Sequence, residues 1–258
     1  MINRIQSIAF NTFREAVRDR VLYNLVFFAL LLVGTTPLFG KISIGLERVI
    51  LINLGLSSIT WFGAVIAIFI GTGMVSKEID KKTLYTVLSR PVRRWEFILG
   101  KYLGLCATLI VNTFFMSIGF YLSLFYITGT FTATDAKLLL VIILIVMQFL
   151  IITAISLLFS SFTTPLFSAL FSFAMFAIGT FVADLRGFAG ILEGWSRYVA
   201  LGFSYLIPNI GLLNVVPQAA HDVPIESRVL WGGVLYALLY SIVALSAAIA
   251  LFEKRNLK

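Results

Sequence analysis

Residues 76–96, SKEIDKKTLYTVLSRPVRRWE, form the longest charged stretch of the chain, and two long apolar runs, 49–75 and 97–127, flank it. A helix rising 1.5 Å per residue crosses a hydrocarbon core of roughly 30 Å in about 20 residues. Each flanking run is long enough to cross. The charged stretch therefore reads as a turnaround on one side of a bilayer, between two antiparallel spans.

The rest of the chain agrees with a membrane setting. Of 258 residues, 60% are hydrophobic and 12% charged, and the mean hydropathy is +1.00, well beyond a soluble domain of this length. Further apolar runs cover 21–39, 138–161, 165–184 and 229–252. The expectation is an all-α integral membrane protein, one domain over 1–258 with six spans. The first run reads as a permanent span, because charged, patterned sequence precedes it and no small-residue cleavage site follows.

The formal charge of +8 suggests nucleic acid until it is mapped onto the loops. With both termini cytoplasmic, that side holds Arg4, Arg14, Arg18, Arg20, Lys77, Lys81, Lys82, Arg90, Arg93, Arg94, Lys101, Lys254, Arg255 and Lys258, 14 of the 20 basic residues. The other side holds Lys41, Arg48, Lys137, Arg186, Arg197 and Arg228, while acidic residues divide evenly. An asymmetry confined to Lys and Arg is the positive-inside pattern, and it orients the chain.

Before the first span, residues 2–19 place Ile2, Ile5, Ile8, Ala9, Thr12, Phe13 and Ala16 on one helical face and Arg4, Arg14, Glu15 and Arg18 on the other. Residues 1–20 are thus expected to lie in the cytoplasmic interface, apolar side toward lipid. The link 160–165, SSFTTP, allows a tight turn. Residues 185–228 are apolar yet interrupted by Pro208, Pro217 and Pro224, so short helices lying on or dipping into the outer leaflet are expected there. At the outer end of the fifth span Asp184 and Arg186 are close enough to pair.

Within 76–96, Asp80 can cap a short helix beginning at Lys81, with Leu84, Val87 and Leu88 on one side of it. Pro91 ends that helix and opens the next. A plain connection between spans needs about two to eight residues. The longer segment, with an apolar stripe among basic side chains, reads as a docking helix for a cytoplasmic partner, against the plainer alternative of a basic loop held by anionic lipid.

Any work this chain does must be driven from outside. The later spans have no ionisable group placed at membrane depth to carry a coupling ion. GTGMVSKE (71–78) lacks the second glycine and the Gly-Lys-Ser/Thr ending of a phosphate loop, so Gly71 and Gly73 read as helix-packing positions. One cysteine, Cys106, and one histidine, His221, make neither a disulfide nor a metal cluster. No nucleophile–base set is evident, so the chain is expected not to be an enzyme. Ser57, Ser58, Thr60, Asn112, Thr113 and Gln148 are polar groups within spans that either line a path or bond neighbouring helices, the commoner role.

The run GTGMVSKEIDKKTLYTVLSRPVRRWEFILGKYLG (71–104), after an amphipathic helix and before further spans, resembles the permease subunits of ABC-2 type ATP-binding cassette transporters. It is most similar to the copper-enzyme-maturation branch, although copper is not carried over, for want of Cys and His in a pathway. Glu78 and Thr83 match the family's Glu-x-x-x-x-Thr, Arg90 and Pro91 its turn, and Gly100 and Lys101 the Gly-Lys opening span three. The resemblance implies that 76–96 is a coupling loop seated on a separate ATPase. Leu84, Val87 and Leu88 would then make apolar contact, with Glu78, Lys81, Lys82, Thr83, Arg90 and Pro91 around them. It further implies an exporter of two permease halves, identical or not, in a bacterial or archaeal cytoplasmic membrane, with ATP and Mg on the partner and the cargo open. Rival readings are a non-transporting membrane anchor, a passive channel and an intramembrane enzyme; for the last two the sequence supplies neither a pore stripe nor a catalytic set.

Overall fold

The computed structural model describes residues 2–42, 46–80, 93–191 and 194–254. Helices dominate, and among the described residues there is no strand. In chain order they are α1 (Ile2–Val17), α2 (Arg20–Ile42), α3 (Glu47–Asp80), α4 (Arg94–Thr128), α5 (Ala133–Ser160), α6 (Pro165–Thr180), α7 (Val182–Ile191), α8 (Trp195–Leu206), α9 (Val216–Ala220) and α10 (Ser227–Lys254), with a 3-10 turn at Ile210–Leu213. Helices α3, α4, α5 and α10 are long and apolar enough to cross a membrane. The apolar part of α2 covers Leu25–Leu38.

Side-chain contacts give the helix directions. α3 and α5 run parallel: Arg48 meets Asp135 at one end, the Phe149 ring covers Gly63, and Ser160 Oγ donates to Thr72 O (3.2 Å) at the other. α4 runs against them, with Tyr121 OH donating to Asp135 O (3.2 Å) and Tyr102 OH to Leu150 O (3.4 Å). α6 returns from a tight turn at 161–164, opened by Pro165 as a first helical residue, and Ser168 Oγ donates to Ser156 O (3.3 Å). Phe252 of α10 stacks on Phe97 of α4, ring centroids 6.0 Å apart. Phe97, Phe120, Phe149, Phe176 and Phe252 are fully buried where these helices meet, while Phe114, Leu122, Leu166, Leu170, Leu239 and Val243 point outward. An apolar exterior around an apolar interior is what a lipid solvent permits.

Two expectations change. The fifth apolar run is not one straight span to residue 184: α6 is 16 residues, about 24 Å, and α7 leaves it at 61°. Arg186 does not turn to Asp184; its guanidinium donates to Ser204 O (3.1 Å) and lies over the Tyr205 ring (5.2 Å), closing α7 onto α8, and among the described residues no ion pair joins it to Asp184. Asp80 is the last described residue of α3, and the helix it was expected to cap, from Lys81 on, lies outside the described residues.

The interrupted segment after α6 divides in two. α7 and α8 expose Phe188, Ile191, Trp195, Tyr198, Tyr205 and Leu206. The following stretch turns back into the bundle, burying Ile210, Leu213, Val215, Val216 and Ala220. Two tyrosines of α10 hold it there: the Tyr236 hydroxyl accepts from Asn209 N (2.8 Å), and Tyr240 OH donates to Leu206 O (3.2 Å). The backbone where the chain leaves α8 is thereby given partners.

Candidate functional site

Helices α3 and α4 have 34 and 35 residues, about 51 and 52 Å at 1.5 Å per residue. A core of roughly 30 Å does not use that length, and as antiparallel neighbours the two helices form a hairpin that brackets residues 81–92. Of the residues expected to dock a partner, Glu78 falls in the last turn of α3. Lys81, Lys82, Thr83, Leu84, Val87, Leu88, Arg90 and Pro91 lie outside the described residues, as does the end of the basic tail after Lys254.

What the structure does describe is the base of that hairpin, and three elements converge on the first turns of α4. The first is α4's own cap. Glu96 is buried, and its Oε2 accepts from Arg93 N at 2.9 Å, closing an otherwise open helix start.

The second is the end of α10. The Arg94 guanidinium donates to Phe252 O (3.0 Å) and Glu253 O (2.8 Å). These are carbonyls of the last described turn of α10, where a cation also suits the negative end of the helix dipole. The Phe97–Phe252 stack lies one turn further in.

The third is α1. The amphipathic pattern of this helix is as expected, but its apolar stripe faces α4, a protein surface, instead of being left to lipid: Thr12 and Ala16 are buried, and Ile5, Ile8, Ala9 and Phe13 partly so. Gly100 and Gly104, one helical turn apart, permit the approach. A Cβ at Gly100 would lie 2.6 Å from Ile8 Cγ2, and one at Gly104 2.5 Å from Ala9 O and 2.6 Å from Thr12 Cβ. Between them Lys101 is buried, with its Nζ 3.7 Å from Glu15 Oε2 on α1 and over the Phe97 ring at 5.7 Å.

The Gly-Lys pair matched to the family thus has a local physical role here, as the seat of α1. Sequence reading missed Glu15, Arg94 and Glu96 as members of this junction. The GKYLG spacing was available as a small-xxx-small signal. Glu96 stands at the third helical position of a capping box, but with Arg93 rather than Ser or Thr before it. The acceptors of Arg94 lie 158 and 159 residues away, and no local pattern reports them.

The opposite end is tied by Arg48, whose guanidinium reaches Asp135 Oδ1 (2.8 Å) and Thr134 Oγ1 (3.0 Å), with Asp222 Oδ1 at 3.8 Å. Asp135 is buried, and its Oδ2 accepts from Thr132 N (2.7 Å) and Thr132 Oγ1 (2.8 Å). The starts of α3 and α5 and the turn before α10 are held together there. The polar residues within the helices mostly serve helix backbones: Ser58, Thr60 and Thr113 each donate to a carbonyl four residues back, and Gln148 is buried in the bundle.

Four apolar helices of spanning length, with bent pairs beside them, define a multi-pass helical membrane protein. Residues 6–257 match the family described as ABC-2 family transporter protein, and the chain belongs to that family. It is an ABC transporter permease, and membership implies an ATPase partner. No curated protein matches the sequence.

Proposed function

We propose that this chain is the permease half of an exporter, driven by a separate cytoplasmic ATPase that docks on the loop 76–96. The observation that carries the reading is the junction at the base of the α3–α4 hairpin. Arg94 is bonded to the end of α10, and Gly100, Lys101 and Gly104 seat α1. A push on the loop would then move α1, α4 and α10 as one body and reach the far end of the bundle through helices already packed together.

In this reading the subunit has six spans, with α6 and the segment around α7 and α8 forming the bent fifth and its outer-leaflet continuation. Both termini and the hairpin tip are cytoplasmic, consistent with the Lys and Arg asymmetry. Two permease subunits pair, and ATP and Mg are bound and hydrolysed on the partner, this chain itself being no enzyme. Leu84, Val87 and Leu88 make the apolar contact with the ATPase, rimmed by Glu78, Lys81, Lys82, Thr83, Arg90 and Pro91. The membrane is the cytoplasmic membrane of a bacterium or archaeon.

The test is affinity purification of the tagged chain in mild detergent, with mass spectrometry and ATPase assay of the eluate. A stoichiometric ATPase subunit is expected, and Leu84→Asp with Leu88→Asp should remove it while the permease still purifies as a folded species. Equal recovery of the ATPase with the doubly substituted chain would refute the docking assignment.

A further inference from the structure

Helix α2 carries a proline in its interior, Pro37. Proline has no N–H, so the carbonyl four residues earlier, Val33 O, loses its intrahelical donor, and in hydrocarbon a neighbouring helix must supply one. The nearby hydroxyls of α2 do not: Thr35 Oγ1 and Thr36 Oγ1 both donate to Leu32 O, at 2.9 and 3.1 Å. The donor comes from α4, where Ser123 Oγ reaches Val33 O at 3.3 Å.

Ser123 is the exception on its helix. Thr108, Thr113, Ser117 and Thr128 each donate to the α4 carbonyl four residues back. The equivalent acceptor for Ser123 is Gly119 O, one side-chain rotation away. The hydroxyl therefore has two alternative acceptors, one on α2 and one on its own helix.

The contact between α2 and α4 changes character at this bond. On one side of it the helices touch: a Cβ at Gly119 would lie 2.9 Å from Leu30 Cδ2 and 4.0 Å from Val33 Cγ1. On the other side they separate. A Cβ at Gly34 would meet nothing within 4 Å, and a groove of about 340 Å³ runs between Gly34, Pro37 and Leu38 of α2 and Leu122, Ser123 and Tyr126 of α4. Leu38 and Tyr126 are 63% and 70% exposed.

We propose that α2 beyond Val33 is a hinged flap, with Pro37 as the hinge and the Ser123–Val33 bond as its releasable latch. Closed, the hydroxyl satisfies Val33 O and pins the flap to α4. Open, the hydroxyl turns to Gly119 O and the groove widens toward the Leu38 end.

A double-mutant cycle tests the latch in the full chain in detergent, with Cys106→Ala as background. Nitroxide labels at Leu38→Cys and Tyr126→Cys report the width of the groove by pulsed electron resonance. Ser123→Ala is expected to broaden the distance distribution and to shift the unfolding equilibrium about 3-fold, the usual scale of one interhelical hydrogen bond in a membrane protein. Ser123→Thr keeps the hydroxyl and should restore both. With Pro37→Ala, residue 37 regains an N–H for Val33 O, so Ser123→Ala should then change neither readout. An unchanged distribution on Ser123→Ala, or equal broadening with and without Pro37, would overturn the proposal.

Discussion

Substituting Gly104 by alanine tests the seat of α1 most directly. The new Cβ would stand 2.5 Å from Ala9 O and 2.6 Å from Thr12 Cβ, whereas ordinary contact begins near 3.4 Å. The first obstacle is a backbone carbonyl, so no rotamer change relieves it and α1 must retreat by about 0.9 Å, the difference between 3.4 and 2.5 Å. Gaps of 0.5 to 1 Å forfeit a quarter to a half of each dispersion contact. Overpacking of this kind costs roughly 1 to 3 kcal/mol, while alanine returns up to about 1 kcal/mol of helix propensity. The expected net loss is about 0 to 2 kcal/mol, or up to about 8 °C in unfolding midpoint for a chain of this size.

The control is Gly187→Ala in α7, where a Cβ meets nothing within 4 Å. It should raise stability by about 0.5 to 1 kcal/mol. The assays are thermal unfolding in detergent and tryptic cleavage at Arg14 and Arg18, both exposed, which should quicken only in Gly104→Ala as α1 lifts from α4. If Gly104→Ala matches Gly187→Ala in sign, or leaves cleavage at the native rate, α1 does not sit on α4 as described.

Arg94→Ala removes both hydrogen bonds to the end of α10 and should speed hydrogen exchange in the last described turn of that helix, with about 1 kcal/mol lost, while exchange at the start of α10 stays unchanged. Asp135→Asn weakens the buried tie to Arg48 while leaving an acceptor for Thr132, and should lower stability by about 1 to 3 kcal/mol; a midpoint equal to the native one would mean that Arg48 finds equal company in Asp222. Gly63→Leu places a side chain against the Phe149 ring, which already lies 2.0 Å from an added Cβ, and should abolish recovery of folded protein, measured by size-exclusion chromatography of the detergent extract.

Much of the architecture was legible because transfer into lipid is governed by local runs of apolar residues. The long helices α3, α4, α5 and α10 coincide with the apolar runs to within a few residues. The fifth run read as a single span because hydropathy does not register a bend; Phe181 and Val182 are as apolar as their neighbours, and the 61° turn between α6 and α7 follows from packing. α1 was legible as amphipathic, yet its stripe is equally compatible with lipid or with α4. Lipid tails and leucine side chains are alike to an apolar face, and the steric permission granted by Gly100 and Gly104 settles the choice.

The site divides the same way. Sequence alone determined that a charged stretch separates two apolar runs each long enough to cross a membrane, and that the run 71–104 resembles the family to which the chain belongs. These are properties of single residues and short windows, set by solvation and charge wherever the chain folds. Tertiary structure decided that Arg94 closes α10, that Lys101 meets Glu15, and that the carbonyl freed by Pro37 takes its hydrogen bond from Ser123. Each joins groups 86 to 158 residues apart, and which distant partner answers an open carbonyl or a buried cation is settled by packing, because many partners of equal chemistry are available along the chain and only one is brought within reach.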